Sequence, residues 1–149
     1  MRDKPHIMVI EARFYEDIAD ELVKGATQAL DGAGATYERF AVPGAFEIPG
    51  AIRLAMDATR DGEKRFDGYV ALGCVIRGET THYDYVCGQS ARGLQDLALR
   101  HKLAIGYGIL TVENRDQAME RGGVDRGNKG LAAVEACLAM ISLAREFEG

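Results

Sequence analysis

Residues 68–76 read GYVALGCVI, nine residues without a charge and apolar at odd and even positions alike. A strand with one face in water alternates polar with apolar side chains. A strand covered on both faces does not, and this is the habit of a central strand in a parallel sheet. At its end the character changes at once to RGETTHYDYV (77–86), a polar stretch that opens a helical pattern with Tyr83, Val86, Ser90, Leu94 and Leu97 on one stripe.

The same alternation of strand and helix extends outward in both directions. Upstream, HIMVIEA (6–12) reads as a buried strand, and residues 14–34 carry Ile18, Leu22, Ala26 and Leu30 at helical spacing before a glycine-rich end. ATYERFAVPG (35–44) alternates and stops at Pro43-Gly44. AFEIPGAIRLAMDATRDG (45–62) then reads as a helix with Ile52, Ala55, Met56 and Thr59 inward, its first turn tolerating Pro49. Downstream come a strand, IGYGILTVEN (105–114), a short helical turn, RDQAMERGG (115–123), and a last helix over 128–149 with Leu131, Val134, Leu138, Ile141 and Arg145 on one face. The order β-α-β-α-β-α-β-α-α implies an α/β fold, a four-stranded parallel sheet flanked by helices on both faces. No linker or repeat divides residues 1–149, so one domain is expected.

Composition narrows the function classes. The chain is 47% hydrophobic and 28% charged, the balance of a folded globular protein, and its net charge of −5 gives general nucleic-acid binding little support. Cys74, Cys87 and Cys137 are odd in number and widely spaced, which fits reduced cysteines in a cytoplasmic protein and neither a zinc site nor a disulfide frame. MRDKPHIMVIEARF (1–14) lacks the form of a signal peptide, and no segment approaches the ~20 apolar residues of a membrane span.

In parallel α/β sheets ligands bind beyond the carboxyl ends of the strands, which selects the loops at 12–15, 43–47, 77–82 and 111–115. In the third loop Thr81 and Asp84 have the spacing of a capping box, with Asp for the usual Glu, so helix capping is their plain reading. A helix start also offers free N–H groups and a positive dipole end to an anion. Gly78 permits close approach and Thr80 adds a hydroxyl, so a phosphate at 79–81 is expected, with the Glu79 side chain turned away. His82 stands at the edge of that seat, where an imidazole suits proton transfer near neutrality; the competing reading is an ordinary surface residue. His6 and His101 have no such context and read as structural or solvated.

Two further clusters frame the same region. RGGVDRGNKG (121–130) only superficially resembles a nucleotide-binding P-loop, since Gly130 and not Ser or Thr follows Lys129 and the turn follows a helix and not a strand. It leaves Arg121, Arg126 and Lys129 either as solvated charges or as phosphate ligands. VPGAFEIPG (42–50) places Glu47 either as a first-turn carboxylate favoured by the dipole or as an acceptor for ligand hydroxyls. Phe14 is either a rim aromatic or a platform for a flat ring. There is no GxSxG, HExxH or GxGxxG pattern.

EARF (11–14), VPGAFEIP (42–49), LGCVIRGETTHYDYV (72–86), and TVEN (111–114) with ERGGVDRGNKG (120–130) together resemble the lumazine synthase family, in family order and spacing. The resemblance implies a three-layer flavodoxin-like sandwich. It also implies a transferase of riboflavin biosynthesis that condenses 5-amino-6-(D-ribitylamino)uracil with 3,4-dihydroxy-2-butanone 4-phosphate and uses no metal or redox cofactor. By the same resemblance Phe14 stacks on the pyrimidine, Ala45, Phe46 and Glu47 hold the ribityl side, and Cys74, Val75 and Ile76 contact the ring through their backbone. Tyr107 closes the pocket from a neighbouring subunit, Glu79, Thr80 and Arg121 bind the phosphate, His82 moves protons, and Lys129 is a supporting cation. Three positions depart from the family pattern: Tyr107 for a common phenylalanine, Cys74 for a frequent threonine, and Ala132 where an acid often stands. The resemblance implies a homopentamer with its sites between adjacent subunits; with strand one so near the start of the sequence a free pentamer is favoured, while the glycine-rich turn without an insertion leaves a sixty-subunit shell open, as well as a decamer. The alternatives are a flavin or lumazine binder without turnover and a shell protein with incidental catalysis. Arg121 and Lys129 beside His82 favour the enzyme, since a flavin binder needs no second phosphate site.

Overall fold

The computed structural model of the chain describes residues 4–148; residues 1–3 and Gly149, the last position of the expected final helix, lie outside them. The elements are β1 (His6–Ala12), α1 (Glu16–Gly32), β2 (Thr36–Val42), a 3-10 turn (Ala45–Glu47), α2 (Ile48–Ala55), β3 (Thr59–Arg60), β4 (Glu63–Lys64), β5 (Gly68–Ile76), α3 (His82–His101), β6 (Ile105–Val112), α4 (Arg115–Gly122) and α5 (Lys129–Glu148). Four strands pair in parallel in the order β2-β1-β5-β6.

GYVALGCVI is the interior strand β5, held between β1 and β6, and Gly68 through Cys74 are buried. Period-two geometry sends neighbouring side chains to opposite faces. Ile7, Val9, Val70 and Leu72 enter one core with Leu22 of α1 and Val134 of α5. Met8, Ile10, Tyr69 and Ala71 enter the other with Ile52 of α2 and Leu94 of α3. Both cores depend on the same two strands, which is why those strands show no polar alternation. The expected α3 stripe is buried at Val86, Ser90, Leu94 and Leu97, and the Ser90 hydroxyl donates to the Cys87 carbonyl at 3.2 Å.

Three local expectations are corrected. The buried face of α5 is Gly130, Ala133, Val134, Cys137 and Ile141, while Leu131 is exposed. Small residues win because α5 lies almost on the sheet at Ala133 and against the α1 backbone at Gly130, where a Cβ would meet the Leu22 carbonyl oxygen. A Cβ on Gly106 would run into the Ala133 carbonyl, 2.7 Å from its carbon. The second helix ends at Ala55 and does not reach Thr59, which pairs with Lys64 in a hairpin. Asp61 and Gly62 form its turn at φ 54° and 81°, the two positive values a tight hairpin requires, and Asp-Gly was the available signal. Thr81 makes no side-chain cap and Asp84 does not complete a capping box: Thr81 is already helical at φ −73°, ψ −1°.

At the start of β1, on the hairpin side of the sheet, His6 is structural. Its ring stacks on Phe66 with centroids 5.6 Å apart and bonds Thr36 and Glu38 at 2.7 and 2.8 Å. The Arg65 guanidinium, helped by His6, pulls the Glu38 carboxyl from an ordinary value of 4.5 down to about 2. Because the folded value is the lower one, the stabilisation is complete above about 4.5 and is lost as pH falls towards 2. Melting wild type and Glu38→Gln from pH 7 downward should show a gap in Tm at neutral pH that narrows below pH ~4.5. A gap that stays constant into acid would mean that charge at Glu38 is not its source.

Candidate active site

The helices that follow β1 and β5 depart to opposite faces of the sheet: α1 packs in one core and α3 in the other. Adjacent parallel strands whose connections diverge in this way leave a crevice beyond their carboxyl ends. Here the crevice is a groove of about 580 Å³. Its floor is the end of β5, with Cys74 buried and Val75 and Ile76 half-buried. Burial pushes the Cys74 thiol up to about 12, so it stays protonated at neutral pH and offers bulk and backbone, not a thiolate.

Three loops raise the walls. From the loop after β1, Phe14 projects with 73% of its surface exposed, set edge-on to Tyr15 at 4.9 Å. That loop is anchored through Arg13, which donates to the buried Glu11 carboxylate at 2.8 Å and to Glu16 at 2.8 Å, and also pairs with Asp20. Glu11 accepts two further bonds from Arg39 at 2.8 Å each, so this buried acid is fully compensated and held in its charged form. From the turn after β2 come Ala45, buried, and Phe46 and Glu47, both exposed. The Gly44 N–H donates to the Glu47 carboxylate at 3.1 Å, which fixes one oxygen and leaves acceptor capacity facing the groove. The third wall is the loop after β5 and the start of α3, with Thr80, His82 and Tyr83.

Thr80 and not Thr81 tends the helix start: the His82 N–H donates to the Thr80 hydroxyl oxygen at 3.3 Å. The hydroxyl hydrogen remains available to a ligand. The arrangement thus joins an exposed aromatic plane, a carboxylate, a hydroxyl and an imidazole over an apolar floor. Among the described residues no cluster of His, Cys, Asp and Glu is arranged to hold a metal ion, and no helix is long and apolar enough to cross a membrane.

A family model described as 6,7-dimethyl-8-ribityllumazine synthase matches residues 4–145. The chain belongs to that family. It is similar to the curated 6,7-dimethyl-8-ribityllumazine synthase of Bartonella tribocorum, 54% identical over 99% of this chain and 95% of the relative. The 6,7-dimethyl-8-ribityllumazine synthase 1 of Rhizobium meliloti is 55% identical over 93% of this chain and 90% of its own length. The protein of the same name from Agrobacterium fabrum is 51% identical over 98% and 99%.

Of the residues singled out by the lumazine synthase resemblance, Phe14, Ala45, Phe46, Glu47, Cys74, Val75, Ile76, Thr80 and His82 meet around this groove. Glu79 is exposed beside it but does not line it. Tyr107, Arg121 and Lys129 do not line it either. Tyr107 is half-buried on β6 in the α2–α3 core, and Arg121 donates back along α4 to the Gln117 carbonyl at 3.4 Å. Lys129 begins α5 behind a turn whose Asn128 accepts from the Leu131 N–H at 3.3 Å. Tyr15, Pro43, Gly44 and Tyr83 also line the groove and were not singled out in the sequence. Tyr83 and Val86 are legible only as members of a helical stripe; in the fold Val86 is buried in the α2–α3 core and also lines the groove, while Tyr83 is half-buried at its wall.

Proposed function

We propose that the chain condenses 5-amino-6-(D-ribitylamino)uracil with 3,4-dihydroxy-2-butanone 4-phosphate to 6,7-dimethyl-8-ribityllumazine, with release of phosphate and water. The carrying observation is the groove itself, in which Phe14, Glu47, Thr80 and His82 converge over the end of β5 in a chain of this family. The substrate amine is the nucleophile, which agrees with a protonated Cys74 on the groove floor. Phe14 takes the pyrimidine face and Glu47 accepts from the ribityl hydroxyls. The amine adds to the ketone, and His82 moves protons as water leaves to form the imine and as phosphate is eliminated. Ring closure then expels a second water. Holding the two substrates together supplies much of the rate.

The phosphate is assigned to Thr80 and the neighbouring N–H groups, with Glu79 at the rim and Arg121 as the charged partner. Since Arg121, Lys129 and Tyr107 lie off the groove of their own chain, a neighbouring copy is read as bringing them to it. Exposed apolar residues on three helices, Leu54, Leu99 and Leu143 among them, support such an assembly, taken here as a pentamer of single-domain subunits. The unpaired Cys74, Cys87 and Cys137 support a cytoplasmic setting.

Purified chain mixed with both substrates should raise lumazine absorbance above the uncatalysed rate; no rise would remove the catalytic reading and leave a binding protein. Arg121→Ala should raise KM for the butanone phosphate, with little change in KM for the uracil. An unaltered phosphate KM would place that anion elsewhere. Sedimentation should give five copies per particle, against sixty for a shell.

A further inference from the structure

The segment that carries Thr80 and His82 has little to hold it in place. Residues 77–82 are all exposed, and among the described residues the backbone N–H groups of Gly78, Glu79 and Thr80 donate to no acceptor of the chain. Yet proton transfer demands placement: an error of about 1 Å in a reacting group can cost on the order of 10²-fold in rate. Something must fix where α3 begins.

Arg77 stands at the base of this segment and reaches across it. Its backbone N–H donates to the Val112 carbonyl at 2.9 Å, continuing the β5–β6 ladder one residue past the strand. Its Nε donates to Glu113 Oε2 at 2.8 Å, and its Nη1 lies 3.6 Å from Asp84 Oδ1. The guanidinium carbon sits 4.3 Å from the centroid of the Tyr83 ring. Glu113 is itself held, because its N–H donates to the Gln117 side chain of α4 at 2.8 Å. One planar group therefore ties the first turn of α3 to the loop after β6. Exposed ion pairs and cation–π contacts each stabilise a fold only weakly. Their value here is geometric: three contacts to one rigid fork fix its plane, and with it the turn next to His82. Arg77 itself lines no part of the groove.

We propose that Arg77 is a positioning residue, which by clamping Tyr83 and Asp84 to Glu113 sets the place of His82 over the groove. The proposal rests on His82 as the proton-transfer group of the function proposed above. The experiment is a double-mutant cycle with purified full-length protein and both substrates, read as kcat and as KM for each. Arg77→Met should lower kcat about tenfold in the wild-type background and less than about twofold in the His82→Ala background. Glu113→Gln, a milder isosteric change, should show the same dependence on His82 with a loss of a few-fold, and serves alone if Arg77→Met does not fold. Arg77→Lys, which keeps the charge without the planar fork, should recover part of the loss. Equal losses in both backgrounds, or no loss, overturn the clamp while leaving the His82 assignment standing. A His82→Ala enzyme with unchanged kcat removes the assignment and the clamp together.

Discussion

Replacing His82 with alanine lowers kcat by roughly 10²–10⁴-fold, the ordinary worth of one general acid–base group, and leaves measurable turnover. The expectation has two parts. The first is that the loss is chemical and not structural. His82 is exposed, and the hydrogen bond at this position uses its backbone N–H, donated to Thr80. Removing the imidazole therefore breaks no hydrogen bond among the described residues, and Tm should stay within the range of a neutral surface change, about ±0.5 kcal/mol in stability. The second part is that turnover persists. The nucleophile belongs to the substrate, and the groove still holds both partners beside Phe14, Glu47 and Thr80. Steady-state kinetics with a parallel melting curve test both. A loss beyond about 10⁴-fold would give His82 more than one proton to move, and a loss below about threefold would take the role from it.

The largest expected effect on stability belongs to Gly106→Ala, a single added methyl group. The new Cβ would point straight at α5, into the Ala133 carbonyl oxygen and 2.7 Å from the carbonyl carbon. A long side chain can swing away from such a clash, but a helix backbone cannot. To relieve it α5 must lift from β6, loosening Val134, Cys137 and Ile141 in a core where they are at most 7% exposed. Overpacking commonly costs 1–3 kcal/mol, and a clash with backbone belongs at or above the top of that range. At about 2–4 °C per kcal/mol, Tm should fall by roughly 6–12 °C. Gly88→Ala is the control: its added Cβ meets nothing within 4 Å, and helix propensity favours alanine by up to about 1 kcal/mol. If Gly106→Ala melts with the wild type, the close approach of α5 to the sheet is not what excludes a side chain there.

Much of this molecule is local and therefore legible along the chain. GYVALGCVI announces a strand covered on both sides because the missing alternation is a property of the segment alone. The loops after the strands follow from its parallel setting, and nine of the residues singled out in the sequence, Phe14 through His82, line one groove there. Asp61-Gly62 was equally local: its turn signal was present, and the helical reading of 45–62 overrode it.

What the chain could not show by itself depends on which elements touch. Spacing on the last helix selected Leu131 as inward, as hydrophobicity alone would. In the fold its backbone meets Gly106 at Ala133 and the α1 backbone at Gly130, and only small residues permit those two distances. Arg77 and Asp84 had no legible partners beyond a capping box, since Glu113, the residue that completes their contact, lies 36 positions from Arg77 and is adjacent only because β5 pairs with β6. Periodicity reports which residues prefer to leave water, a free energy of each side chain taken singly. Where they go, and how closely backbones may approach, is a property of pairs brought together by the sheet, and the tertiary structure alone decides it.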